Sequence, residues 1–233
     1  MGASAAGARV PMALTARVFA DRAAAGVALA QEMLQRQLHP PVLVLALPRG
    51  GVPIALEIAR VLDAPLDVML VRKVGMPGQP ELAIGAVASG DIVVHDHSIE
   101  RNYPGIAEAF ERVAAQERRE LLRREAVYRA GLAPLRLEGK TVILVDDGLA
   151  TGSTMLAAVR AARAGGATHI VVAAPVASPQ AALLVGAEAD ELLILQTPAV
   201  LFAIGEWYER FEQLEDEEVC QLLDLHRRNQ TLR

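Results

Sequence analysis

The chain has 233 residues, a formal net charge of −5 and an apolar content of 52%, drawn largely from alanine, leucine and valine. That length suits one core of ordinary size, with ~150 residues per domain as a guide, and the acidic balance argues against general nucleic-acid affinity, which draws on a clustered excess of Lys and Arg. No apolar run approaches the ~18–20 residues of a membrane span, and the single cysteine, Cys220, excludes an internal disulfide and fits a reducing, cytoplasmic setting.

In chain order, the small, Ala-rich Met1–Ala8 stretch lacks the charged-then-apolar order of a secretion signal and reads as a frayed tail. Val42–Leu47 reads as a strand and Val52–Leu62 as a helix, with Pro48-Arg49-Gly50-Gly51 between them. The two glycines let the backbone approach a ligand closely, and Arg49 offers a planar set of donors to phosphate oxygens, so a pyrophosphate suits this loop; the plain alternative is an ordinary strand-to-helix turn. Leu66–Val71 reads as a second strand ending in Arg72-Lys73, and Lys73 and Lys140 are the only lysines in a chain that otherwise uses arginine. Val74–Pro80 is rich in turn formers and suits a mobile cover.

Ala83–Val94 reads as a hairpin turning at Ser89-Gly90-Asp91, and Ile106–Arg129 as a long charged helix. Interspersed acids and bases from Glu117 to Glu125 suit i,i+4 pairing on a solvated face, leaving an apolar stripe for helix packing or dimerisation. His95 and His97 alternate as on a strand, but no carboxylate or cysteine completes a metal set with them. Val142–Val145 is a third core strand, followed by a helix over Ser153–Ala164 that Gly165-Gly166 stops. His169–Val176 and Leu192–Leu195 add strands, with a short helix over Pro179–Val185 between them. Phe202–Phe211 concentrates the aromatic residues, and Leu214–Leu225 reads as a helix with Asp216, Glu217 and Glu218 at its favourable end. The alternation predicts an α/β fold, a parallel sheet with helices on both faces, as a single domain over residues 1–233 with an insertion at about 83–130.

The most informative segment is Val142-Ile-Leu-Val-Asp-Asp-Gly-Leu-Ala-Thr-Gly-Ser-Thr154. An apolar strand delivers Asp146 and Asp147 to its carboxyl end, where open α/β sheets bind ligands, and ionised carboxylates are pure acceptors suited to ribose hydroxyls. Ala150, Thr151, Gly152, Ser153 and Thr154 form a turn whose N–H groups and hydroxyls suit an anion, backed by the next helix's N-terminus. The segment resembles the ribose-phosphate signature of type I phosphoribosyltransferases. Two rivals lack their residues: a receiver domain needs a lysine beyond Lys140, and a P-loop needs an upstream Gly-x-x-x-x-Gly-Lys-Ser/Thr.

The resemblance covers Val42 to Leu195 and implies phosphoribosyl pyrophosphate as donor, a nucleobase-like acceptor, Mg²⁺, and release of pyrophosphate. It implies that Arg49, Gly50, Gly51 and Lys73 hold the pyrophosphate, with Arg72 as a further contact or a structural ion-pair partner. Asp146 and Asp147 then hold the ribose directly or through the metal's water, and residues 150–154 hold the 5′-phosphate. The family's pyrophosphate loop often carries a non-proline cis peptide, expected here at Pro48–Arg49 or Arg49–Gly50. A small C-terminal hood, about residues 198–233, is expected to hold the acceptor, with Trp207 or Tyr208 stacking on it. A homodimer is expected, since many relatives dimerise. Enzymes for 6-oxopurines usually place an aspartate where this chain has Ala150, so a hypoxanthine or guanine acceptor of the usual kind is disfavoured. Two other classes stay open: a non-catalytic regulator that binds phosphoribosyl pyrophosphate or a nucleotide, and a metal-dependent phosphate-ester hydrolase using the acidic pair.

Overall fold

The computed structural model describes residues 18–95 and 106–231, without the side chains of residues 80–83 and 231. The Met1–Ala8 tail and His97 lie outside the described residues. Its elements are α1 (Arg22–Met33), β1 (Val42–Ala46), α2 (Gly51–Leu62), β2 (Leu66–Val68), β3 (Val71–Met76), β4 (Gln79–Ala88), β5 (Ile92–His95), α3 (Ile106–Tyr128), β6 (Thr141–Val145), α4 (Ser153–Ala164), β7 (His169–Val176), α5 (Pro179–Gly186), β8 (Glu191–Gln196), a 3₁₀ turn (Ile204–Trp207) and α6 (Asp216–Thr231).

Five strands form a parallel sheet in the order β2-β1-β6-β7-β8. Its middle strand, β6, is buried from end to end, and β1 and β7 are buried beyond their first residues, as continuous apolar runs in a sheet covered on both faces should be. Alternation along each strand sorts residues to opposite faces. Val44, Ala46, Ile143, Val145 and Val171 meet α1 and α2 through Leu29, Met33, Ile54 and Ile58. Leu43, Leu45, Val142, Leu144 and Val172 meet α4 and α5 through Met155, Ala158, Val159 and Ala181. The doubly covered parallel sheet is thus the architecture expected from the sequence.

Three boundaries differ from expectation. The stretch expected as one strand over Leu66–Val71 divides: β2 ends at Val68, and Val71 opens a three-stranded antiparallel sheet in the order β3-β4-β5. The switch is secured at Leu70, whose N–H donates to Ser89 Oγ at 3.0 Å while its carbonyl accepts from Ser89 N–H at 3.0 Å. Val74–Pro80, expected as a turn-rich cover, is the end of β3, a Pro77-Gly78 turn and the start of β4. The inserted layer therefore begins near residue 71 and places Arg72 and Lys73 in the small sheet. Helix α1 has no counterpart among the elements expected from the sequence; its cap is Asp21, whose carboxylate accepts from Ala24 N–H at 2.8 Å.

The C-terminal helix also departs from its assignment to the hood. It packs on α2, β2 and α3, burying Val219 and Leu223, and His226 Nε2 donates to the Ala64 carbonyl at 3.0 Å. Behind it an ionic network ties the layers together. Arg129 Nε and Nη2 meet Asp67 at 3.0 Å each and Nη2 donates to the Ala133 carbonyl at 2.9 Å, with side-chain exposures of 8% and 16% for the arginine and aspartate. Without Arg129, Asp67 keeps the Val68 N–H at 2.8 Å and the more distant Arg227 Nη2 at 4.0 Å but loses its two-pronged partner. Arg129→Ala should cost about 3 kcal/mol, read as a melting temperature lower by roughly 6–12 °C; a change under ~2 °C by calorimetry would contradict this account of the interlayer contact.

Candidate functional site

Strand β6 delivers Asp146 and Asp147 to the carboxyl edge of the sheet. Leu47 N–H donates to the Val145 carbonyl at 2.8 Å and Asp146 N–H to the Ala173 carbonyl at 3.3 Å, so the neighbouring strands fix where the acids emerge. Asp146 Oδ1 accepts from Asp147 N–H at 2.8 Å. Desolvation by the packed strand ends raises the Asp146 carboxyl well above the ordinary carboxylate range, and the adjacent Asp147 charge adds to that. Asp147 is raised by burial too, opposed by the guanidinium of Arg22. Arg22 Nε donates to Asp147 Oδ2 at 2.9 Å, with side-chain exposures of 12% and 14%.

The loop after β1 presses on the same carboxylate. A Cβ added at Gly50 would lie 1.9 Å from Asp147 Oδ2, and one at Gly51 would lie 2.4 Å from the Val145 carbonyl oxygen. The sequence suggested glycines there for the approach of a ligand; the close approach on display is to the acidic pair and its strand. The Pro48–Arg49 peptide is cis. Arg49 points towards the start of α6, with Nη1 at 3.8 Å from both Glu215 Oε2 and Asp216 Oδ1. Asp216 in turn accepts a very short hydrogen bond from the Tyr128 hydroxyl.

The hydroxyl-rich turn is held from behind by β7 and α5. Leu149 N–H donates to the Val176 carbonyl at 2.9 Å, and Ser178 Oγ donates to the Ala150 carbonyl at 2.7 Å. Gly152 caps α4 at φ +75, a left-handed conformation that favours glycine, and supplies no side-chain cap to the helix's first turn. Thr151 Oγ1 and Ser153 Oγ lie 3.1 Å apart, and Lys73 Nζ donates to Ser153 Oγ at 3.4 Å. Ala150, Thr151 and Thr154 are exposed. The arrangement gathers hydroxyls, a helix N-terminus and an ammonium on one patch, which is anion-binding chemistry. Beside it an open cavity of about 580 Å³ is lined by Lys73, Thr154, Arg72, Glu117 and the β3–β4 turn. Arg72 is committed to a structural ion pair, its Nε donating to Glu117 Oε2 at 2.7 Å.

The hood is built from both ends of the described chain. Phe19 pairs in parallel with Tyr208, Phe19 N–H donates to the Trp207 carbonyl at 2.9 Å, and Glu209 N–H donates to the Phe19 carbonyl at 2.8 Å. Tyr208, expected as a platform for the acceptor, is instead buried: its ring stacks on Phe211 with centroids 4.9 Å apart, and its hydroxyl donates to the Asp147 carbonyl at 2.6 Å. Burial pushes its ionisation up, so it stays a donor. Trp207 packs against the Phe19–Tyr208 cluster. Arg22 was not foreseen, because its partner is 125 residues away; the helix-capping signal at Asp21 was the only local trace of the segment. His95 packs its ring 3.9 Å from that of Phe110, and among the described residues no three His, Cys, Asp or Glu side chains gather to hold a metal.

A carboxylate pair at the tip of a central parallel strand, beside a hydroxyl-rich helix-capping turn, stands at the carboxyl edge of a doubly covered α/β sheet, the edge where open sheets of this kind bind ligands. The family model for the phosphoribosyl transferase domain matches residues 20–210, and the chain belongs to that family. A provisionally named phosphoribosyl transferase of Mycobacterium tuberculosis is 43% identical over 208 residues, which is 89% of this chain and 47% of that protein. The chain thus spans about half the length of the curated relatives it matches. The crystal structure of the protein TT1426 from Thermus thermophilus is similar with a TM-score of 0.82 and 43% identity, over 88% of this chain and 97% of that one.

The raised acids have a consequence for stability. Between the ordinary carboxylate range near ~4 and their raised values, the folded chain binds more protons than the unfolded one, so this pair lowers stability as pH rises through that window. Asp146→Asn keeps an oxygen for Asp147 N–H and removes the buried charge. It should melt above wild type at neutral pH, with the gap closing towards pH ~4; a neutral-pH melting temperature below that of wild type would count against the desolvation account.

Proposed function

We propose that the chain transfers the phosphoribosyl group of phosphoribosyl pyrophosphate to a nitrogenous base, releasing pyrophosphate. The observation that carries this reading is the juxtaposition at one sheet edge of Asp146 and Asp147 with the 150–154 turn and with Lys73, 3.4 Å from Ser153. In it, the turn and the start of α4 hold the 5′-phosphate, and that binding energy orients the anomeric carbon. The carboxylates accept from the ribose hydroxyls. Lys73 and the backbone of Gly50 and Gly51 face the pyrophosphate, and Arg49 joins them by exchanging its exposed Glu215 and Asp216 partners for phosphate oxygens. The C–O bond to pyrophosphate breaks as a base nitrogen bonds to the anomeric carbon from the opposite face, with inversion.

Magnesium suits this donor set. Two adjacent carboxylates supply hard oxygens, and a magnesium ion binds one or two carboxylates together with substrate phosphates and water. When bound, it neutralises charge on the leaving pyrophosphate. Asp146 and Asp147 would hold it, directly or through water. The acceptor would enter at the edge formed by the hood, where Trp207 remains partly exposed.

One incubation tests the reading: phosphoribosyl pyrophosphate and Mg²⁺ with a panel of purines, pyrimidines and pyridine acids, following pyrophosphate release for each. Release with one base is the expected outcome. Phosphate release without any base would replace transfer by hydrolysis, and binding without turnover would replace it by a regulatory role. In the same assay Asp146→Asn with Asp147→Asn should abolish turnover while far-UV circular dichroism stays native. Lys73→Ala should raise the KM for the donor about tenfold or more, the loss of one charge-assisted hydrogen bond, and leave the KM for the base nearly unchanged.

A further inference from the structure

Arg22 is the most heavily constrained side chain at the acidic pair, and the chemistry above gives it no part. Its Nε donates to Asp147 Oδ2 at 2.9 Å, its Nη1 donates to the Glu212 carbonyl at 2.9 Å, and its guanidinium carbon lies 3.8 Å from the centroid of the Phe211 ring. One planar group is therefore held by the strand tip, by the hood backbone and by an aromatic face, a geometry that the fork of arginine fills and lysine fills only in part. On its other side Asp147 is closed in by Gly50, where a single added carbon would fall 1.9 Å from the same Oδ2 atom. The backbone is pinned as well, through the Tyr208 hydroxyl on the Asp147 carbonyl.

These contacts divide the four carboxylate oxygens of the pair. Asp147 Oδ2 is taken by Arg22, and Asp146 Oδ1 by Asp147 N–H. Asp147 Oδ1 and Asp146 Oδ2 make no hydrogen bond among the described residues, and the single buried side-chain oxygen without a hydrogen bond there is Glu125 Oε1, so both remain open to solvent. One free acceptor from each of two neighbouring residues matches two neighbouring hydroxyl donors, as on carbons 2 and 3 of a ribose ring.

We propose that Arg22 is a positioning residue that makes the pair selective for ribose over 2-deoxyribose: by holding Asp147 Oδ2 it fixes the direction of Asp147 Oδ1, which is left, with Asp146 Oδ2, to accept from two vicinal hydroxyls. The inference rests on the sugar-phosphate reading of the site and adds to it how the sugar is distinguished. Without the guanidinium, the Asp147 side chain is free to turn and the second hydroxyl loses its fixed acceptor, while the phosphate turn around Thr151 and Ser153 is untouched.

The test is titration calorimetry of the full chain with ribose 5-phosphate and with 2-deoxyribose 5-phosphate, for wild type, Arg22→Gln and Arg22→Lys. Wild type should favour the ribose compound by about tenfold, the loss expected for an acceptor left without its donor. Arg22→Gln should lose about that factor for ribose 5-phosphate and change little for the deoxy compound, so that the ratio falls towards one, and Arg22→Lys should recover part of the ratio. An equal fall for both sugars would reduce Arg22 to a general charge or folding role and overturn the proposal, as would an unchanged ratio. If Arg22→Gln does not fold by circular dichroism, Phe211→Leu removes the stacking face and should lower the ratio in the same direction; an unchanged ratio there overturns it. If wild type binds neither compound, the sugar-phosphate reading falls, and this proposal with it; if it binds both without distinguishing them, that reading stands and this proposal is overturned.

Discussion

Two carboxylates in adjacent positions, partly withdrawn from water at the tip of a buried strand, are the constraint around which the rest of the site is arranged. Each is raised by desolvation, and Asp146 is raised further by its neighbour. A pair of that kind holds its charge only where other parts of the chain meet the cost. Asp147 N–H closes on Asp146, Arg22 closes on Asp147, and Gly50 packs beside that carboxylate, where an added Cβ would lie 1.9 Å from Oδ2. Such an arrangement lowers the stability of the fold and raises the capacity of the site to accept hydrogen bonds, a trade found where binding outranks stability.

The elements that serve this constraint come from distant stretches of chain. Residues 19–22 join the 204–212 segment to form the hood, and that hood is fastened to the acidic loop through Tyr208 and Arg22. Strand β3 opens the separate antiparallel sheet at Val71 and carries Lys73 across to Ser153, so the inserted layer supplies an ammonium beside the hydroxyl-rich turn. The C-terminal helix packs on α2, β2 and α3, and its first turn, with the residue before it, places Glu215 and Asp216 against Arg49. The two contacts on Arg49 are long, at 3.8 Å each, and partly solvated pairs of that kind contribute little. Arg72 is differently placed: its short contact with Glu117 ties β3 to α3.

Much of this was legible in the amino-acid order alone. The buried strands over 42–46, 141–145 and 169–176 show as apolar runs, α4 shows its stop at Gly165-Gly166, and the acidic pair followed by a Thr-Gly-Ser-Thr turn marks the site and the family together. These features are local: a strand's burial, a helix stop and a hydroxyl-rich, helix-capping turn each depend on residues within about one helical turn or one strand of each other. The division of Leu66–Val71 between two sheets was not legible, since an apolar run has the same pattern whichever partner its backbone takes, and here Ser89 chooses the partner.

The order of residues thus determined that a parallel sheet would form and that its central strand would end in two acids beside a hydroxyl-rich turn. Tertiary structure decided which groups face those acids: Arg22 from 125 residues upstream, Gly50 pressed against Asp147, and an aromatic hood turned inward with the Tyr208 hydroxyl on the Asp147 carbonyl. The physical reason is that charge compensation and steric closure act through space between segments whose separation along the chain carries no trace of their distance in the fold, whereas periodicity and turn chemistry act between neighbours and are written where they act.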